Sequence, residues 1–249
     1  MEVHAHTHTA RKKWTHYFWE FLMLFLAVFC GFLAEYQLEH KIEKQRAKVY
    51  AVNLYEELKK DTTTVNYIFK RNDTQIKNLD TFCLYSSEKK ERNITNGMLY
   101  YYGYLTNYVY YYTSNSTTIE QLKGSGNLRL LGNELSLKIS EYGKRINELQ
   151  AEYGLSRSEF EGMESLYFKI FDGNLAVKLF AIKSIPVRDT FFKIDPPLVN
   201  EDPQLMKEFT GWVKYESDVY SIHNNSYLTS IKKIATELIL LLKNKYHLE

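Results

Sequence analysis

The sequence predicts a mainly α fold: an N-terminal transmembrane helix that continues into a stalk helix, followed by an antiparallel helical bundle. Three observations carry this. Phe21–Ala34 is an uncharged apolar run. Four prolines and eleven glycines leave room for long helices in a chain of 249 residues. Apolar residues elsewhere recur at three- and four-residue steps, the period of a helix with one buried face. The expected organisation is a His-rich disordered tail over 1–13, an anchor over 14–36, a stalk and first bundle helix over 37–85, and a helical domain over 86–249.

The anchor is justified by its flanks. Phe21–Ala34 alone is shorter than the ~20 residues a bilayer core requires. Extension back through Trp19, Phe18 and Tyr17, at the cost of Glu20, brings it into the spanning range. Trp14, Tyr17 and Trp19 before the run and Tyr36 after it stand where interfacial aromatics sit. A cleaved signal peptide is the weaker reading, because Phe32 spoils a small-x-small cleavage site and Phe29 precedes Cys30 where a lipoprotein signal wants a small residue. Arg11, Lys12 and Lys13 adjoin the run on one side, whereas Glu35 and Glu39 lead on the other. That proximity favours a cytoplasmic N-terminus and an extracytoplasmic, periplasmic domain, although the count of basic residues near the two ends does not separate them.

Beyond the anchor, Leu38, Ile42, Val49 and Val52 form one stripe, and from Leu54 it shifts to Leu58, Val65, Ile68, Phe69, Ile76, Leu79 and Phe82. The charged stretch from Ser86 to Gly97 breaks this helix. Met98–Tyr112, the richest part of a chain with 21 tyrosines, reads as a helix or as a strand pair. Thr117 and Glu120 have capping-box spacing for a short helix that stops at Gly124-Ser125-Gly126. Leu135, Ile139, Tyr142, Ile146, Leu149, Tyr153, Ser156, Phe160, Met163, Tyr167 and Ile170 then alternate steps of four and three without a slip, the seam of a long coiled-coil-like helix. Asp172-Gly173 ends it. The section to Pro203, with Pro186, Pro196 and Pro197, is irregular or short-helical. Asp202-Pro203 opens a last helix carrying Leu205, Phe209, Trp212, Val219, Tyr227, Ile231, Ile234, Leu238 and Leu241.

Composition narrows the function. A net charge of +2 with interleaved signs offers no clustered positive field, so nucleic acid is excluded as a partner. Cys30 and Cys83 lie on the order of 80 Å apart along a helix and cannot pair within the chain. His4, His6 and His8 alternate as metal ligands can, but nothing in the tail orients them, and a solvated tail is the better reading. Glu20 sits near enough to the end of the span to reach the headgroups or to pair with Lys13 or His16. Asn93-Ile94-Thr95 and Asn115-Ser116-Thr117 fit a glycosylation acceptor pattern that is frequent by chance. No Gly-x-Ser-x-Gly, His-Glu-x-x-His or phosphate-binding loop is present, and Gly124-Ser125-Gly126 lacks the following glycine and lysine. The expectation is a protein that is not an enzyme, with no catalytic, cofactor-binding or metal residues and no cofactor.

Trp14–Asp61, with Phe18-Trp19-Glu20-Phe21 leading the span, Gly31-Phe32-Leu33-Ala34-Glu35 closing it and Lys44-Gln45-Arg46 in the stalk, resembles the N-terminus of uncharacterised single-pass membrane proteins of Bacteroidota. Ser125-Gly126-Asn127-Leu128-Arg129-Leu130-Leu131 and the helix containing Ile139-Ser140-Glu141-Tyr142 resemble a segment that follows the stalk in the same group. The resemblance spans about half the chain. It implies a membrane-anchored helical protein of a domain-of-unknown-function type and transfers no site residues. The expected role is protein–protein interaction in the cell envelope, with the lipid bilayer and a protein as partners. Ala27 and Gly31 form a small-xxx-small pair through which a homodimer is possible, the alternative being that small residues reach such spacing by chance in any span. The alternative is a sensor or ligand-binding ectodomain with a tyrosine-rich pocket.

Overall fold

The computed structural model describes residues 14–181 and 187–248. The expected tail with His4, His6 and His8 therefore lies outside the described residues, as does Pro186. Among the described residues there is no strand, and the chain divides into two units, Met1–Val49 and Tyr50–Glu249.

The first unit holds the start of α1 (Trp14–Ser87). Its most apolar 18-residue window has a mean hydropathy of 2.0, and none of that window is buried. Leu24 is 69% exposed and Phe25 52%. Phe21, Phe25 and Phe29 stack along one face with ring centroids 6.3 and 5.9 Å apart. Trp14, Trp19 and Tyr36 are exposed at the two ends of the run. By length and composition, this helix can cross a membrane. Leu38, Ile42, Val49 and Val52, the first stripe of the stalk, are exposed as well.

In the second unit α1 acquires a core face. Leu54, Leu58, Val65, Ile68, Leu79 and Phe82 are buried, in the predicted register, while Phe69 and Ile76 are half-buried. A turn over residues 88–93 follows α1, with Asn93 in the left-handed region at φ 52°. Thr95 then caps α2 (Asn96–Leu105), its hydroxyl accepting from Met98 N at 3.2 Å. Gly97 lets α2 press against the backbone at Phe191 and Ile194, since a Cβ there would lie 2.0 Å from the Phe191 carbonyl oxygen.

The tyrosine block is thus helical only in its first half. After a turn at Thr106–Asn107 the chain runs to Ser116 without helix or strand, and side chains supply several of its backbone hydrogen bonds. Gln75 donates to the carbonyls of Leu105 (2.8 Å) and Tyr108 (3.1 Å). Tyr153 Oη accepts from Tyr112 N at 3.2 Å, and Gln150 donates to Tyr112 O at 3.1 Å. α3 (Thr117–Gly124) has Ser116 at its N-cap and no cap from its own chain neighbours. Glu57 on α1 reaches over instead, accepting from Thr118 N at 3.1 Å and Thr118 Oγ1 at 2.8 Å. The capping box expected of Thr117 and Glu120 is replaced by this distant carboxylate. Gly126, at φ 69°, turns the chain into a 3-10 segment (Asn127–Leu131).

α4 (Asn133–Ile170) buries the predicted seam from Leu135 to Ile170, Ser156 included, with Phe160 half-buried. Asp172 then caps α5 (Gly173–Phe180) by accepting from Asn174 N and Leu175 N, and α6 (Val187–Phe192) is one short helix beyond. Asp202 and Pro203 open α7 (Pro203–Ile222) as expected, Asp202 accepting from Gln204 N at 2.9 Å. α7 passes through a π-helical segment (His223–Leu228) into α8 (Thr229–Tyr246). The wider turn gives the core position to Leu228 rather than Tyr227, and Leu242 rather than Leu241 is buried at the far end.

Contacts fix the directions of the helices. Asp61 meets Tyr142 and Phe82 meets Phe171, so α1 and α4 run parallel, joined by the long crossover of residues 88–132. Asp80 pairs with Ser217, Asn72 with Asn224 and Lys138 with Glu237, so α7 and α8 run antiparallel to both. At the α5–α6 end, Phe82, Tyr100, Tyr167, Phe171 and Phe209 interlock edge to face and stacked, with centroids 5.0 to 6.3 Å apart. Each such ring removed from water contributes about 1.5–3 kcal/mol.

Candidate functional site

Three groups of polar side chains in the second unit are candidates for chemistry. The first is centred on Asp61, 1% exposed. Its Oδ1 accepts from Asn115 N (2.7 Å) and Asn115 Nδ2 (2.8 Å), and its Oδ2 from Tyr142 Oη (2.7 Å). Tyr112 Oη lies 3.2 Å from Tyr142 Oη. Burial, above all, raises the pKa of both tyrosines, and that of Tyr153 is pushed up to about 12 for the same reason. All three hydroxyls stay neutral, and both carboxylate oxygens are occupied, so the group is a closed structural lock between α1, α4 and the irregular segment before α3. Asn115, one of the two glycosylation-pattern asparagines, is committed to this lock.

The second group surrounds the π-helical segment. Asn224 donates to Asp73 Oδ1 (2.9 Å) and Phe69 O (3.2 Å) and accepts from Asn72 Nδ2 (2.9 Å). His223 is 4% exposed, and the rings of Tyr153, Tyr220 and Tyr227 stand edge-on to it at 5.1, 6.3 and 6.2 Å. Burial lowers its pKa to about 4, so the imidazole is neutral at ordinary pH. Its Nε2 has no hydrogen-bond partner among the described residues. Further along the same segment, the Arg145 guanidinium lies over the Tyr227 ring at 4.6 Å and donates to Ser226. π-helical turns are frequent at functional sites; this one brings two polar side chains, His223 and Asn224, into the core together.

The third is a cleft of about 240 Å³ between the carboxyl end of α2, the last turns of α4 and the start of α5. The rings of Tyr104, Tyr108, Tyr167 and Phe168 line it, with Glu164 and Asn107 supplying its polar atoms and Gly173 and Val177 closing it. Gly173 leaves room for the Phe168 ring, from which a Cβ would stand 2.7 Å, so a larger residue would push that exposed ring aside. Tyr104 stacks on Phe180 at 4.0 Å and meets Tyr108 edge-on at 5.8 Å, which fixes both rings. Tyr167 is 1% exposed, and burial raises its pKa. Tyr167 Oη and Asn107 Oδ1 are both buried without a hydrogen-bond partner among the described residues. Two larger depressions, one by Lys70 and Lys232 and one by Trp212 and Tyr215, lack such unsatisfied atoms.

Other expectations fall as follows. Glu20 meets His16 at 3.1 Å on the helix surface, one of the partners foreseen for it. Cys30 and Cys83 are both free. Among the described residues no three histidine, cysteine, aspartate or glutamate side chains converge as metal ligands. Sequence reasoning missed Asp61, His223 and Glu164; each is a lone polar residue in an ordinary helical pattern, and only the partners brought from other helices mark it. No protein-family model, curated protein or solved structure matches the chain.

Proposed function

We propose that the chain is a single-pass membrane protein of the cell envelope, akin to the Bacteroidota proteins its N-terminal segments resemble, whose helical domain acts by binding a protein partner or a second copy of itself and not by catalysis. The N-terminus is cytoplasmic and the domain periplasmic. The observation that carries this reading is the contrast between the run from Phe21 to Ala34, with Leu24 and Phe25 more than half exposed, and a second unit that buries its own seam. Apolar surface so continuous on one helix demands lipid or protein around it. Covalent capture of the membrane-embedded chain from intact envelopes should recover discrete partners with the chain still resistant to alkaline carbonate extraction. Full release by carbonate sinks the anchor, and capture of nothing, including a second copy, sinks the interaction role.

A second reading, a ligand-binding domain, is favoured by one observation: the cleft lined by Tyr104, Tyr108 and Tyr167 with two unsatisfied polar atoms. Tyrosine-lined concavities with a few convergent polar groups are the usual form of a small-molecule site.

A further inference from the structure

The polar atoms of the α2–α4–α5 cleft are unbalanced. Asn107 Oδ1 accepts only, the Tyr167 hydroxyl can accept as well as donate its own proton, and neither has a partner among the described residues. Glu164, half-buried at the rim, makes no hydrogen bond or ion pair among the described residues. No lysine or arginine lines the cleft. The last carbonyls of α2 are already met, that of Leu105 by Gln75 and that of Gly103 by Thr106, and the amino end of α5 is answered by Asp172, which accepts from Asn174 N and Leu175 N, so Glu164 sets the sign of charge the cleft favours. Four aromatic rings, those of Tyr104, Tyr108, Tyr167 and Phe168, turn the remaining wall into a π surface that attracts cations. An anion would meet Glu164 with nothing to offset it. A neutral hydrocarbon would leave both buried acceptors unmet.

We propose that this cleft binds a small organic primary ammonium ion, its N–H groups given to Glu164, Asn107 Oδ1 and Tyr167 Oη and its carbon portion held among the tyrosine rings. At roughly 30 Å³ for each water displaced, a cleft of about 240 Å³ holds about eight waters, so the ligand is of monoamine size and not a peptide. The proposal rests on the ligand-binding reading above and leaves the anchor and partner-binding reading untouched if it fails.

The test is ligand-observed NMR titration of the full chain in an uncharged maltoside detergent, with 2-phenylethylammonium against its neutral counterpart 2-phenylethanol. Saturable binding of the ammonium at about millimolar or below is expected, a strength ordinary for a ligand of nine non-hydrogen atoms. The alcohol should bind about tenfold more weakly or worse, since the site's attraction is for charge. Glu164→Gln and Tyr108→Leu should each weaken the ammonium by about five- to tenfold. Both positions are at least partly solvent-exposed, so the unfolding midpoints should stay near that of the parent chain. Tyr67→Leu, remote on α1, should bind as the parent does. Equal binding of ammonium and alcohol, or an ammonium affinity unmoved by Glu164→Gln, overturns the cation assignment while keeping a ligand site. Absence of saturable binding by either compound overturns the ligand-binding reading as well.

Discussion

Leu149 shows how a single position can test the whole seam. It is fully buried in α4, one step from Glu148, whose carboxylate is held on the surface by Arg145 at 2.8 Å. Leu149→Ala should lower unfolding free energy by about 2–5 kcal/mol, the usual cost of a large-to-small core change. Glu148→Ala should cost about 1 kcal/mol or less, as an exposed pair does. Equal small losses in urea unfolding would mean the seam is not a core. His223 gives a second residue-level expectation, in pH. Its folded pKa, about 4, is below its ordinary 6.5, so the unfolded chain binds a proton more readily between those values. The stability due to a neutral His223 is therefore fully present above pH ~6.5 and is lost as pH falls toward ~4, by on the order of 3 kcal/mol at ~1.4 kcal/mol per unit. Between pH 7 and 4.5, His223→Gln should lose less stability than the parent; the same loss in both chains would mean His223 is accessible to protons when folded. Neither His223 nor Asp61 was legible in the sequence. A burial pattern in one helix says which positions face inward, but their partners, Tyr153 and Tyr142, come from another.

Elements were legible in proportion to how far they depend on local signals. α4 follows its seven-residue alternation closely, and α7 starts where Asp202 and Pro203 say it should, because both signals lie within the helix they describe. The tyrosine block was ambiguous for the opposite reason. Its second half is irregular, with Gln75, Gln150 and Tyr153 in place of the backbone partners it would find in a helix or sheet, and they lie 33 to 41 residues away in sequence. The cap of α3 has the same character, since Glu57 is 61 residues distant. The π-helical segment between α7 and α8 leaves only a shift from Tyr227 to Leu228 as its trace. For the helix apolar enough to span a membrane, the small pair Ala27 and Gly31 is the element-scale test of self-association. A Cβ on Gly31 meets nothing within 4 Å, so a larger side chain is tolerated within one chain, and any effect must come from a second. Gly31→Leu should abolish crosslinking between spans in a bilayer, whereas Phe29→Leu should not, because lipid-embedded helices associate where small residues let backbones approach. Unchanged crosslinking in the Gly31 variant reduces the segment to a plain anchor.

At the scale of the whole molecule, the orientation of the chain is the expectation with the widest consequence. If the domain is periplasmic, protease added to intact spheroplasts should cut the exposed Tyr111 region, and protection there that ends on lysis would reverse the topology. The mainly helical class and the bundle were legible in composition and period, but the parallel course of α1 and α4 was not, because nothing in either helix records the direction of the other. That course depends on the crossover of residues 88–132 and on α7–α8 returning to α1. Asn72 waits for Asn224, 152 positions later, and the Leu131 carbonyl for Lys245, 114 later. Contacts so distant in sequence slow folding. They also set a clock during synthesis: at about 5–20 residues per second, on the order of ten seconds pass between completion of the first bundle helix and the emergence of its partner. Throughout that interval α1 has α4 against it, at Asp61 and Phe82, but not the partners that α7 and α8 bring to Asn72 and Asp80. It is therefore α7 and α8 that end this exposure, and a ribosome that stops before His223 leaves behind an unclosed hydrophobic surface.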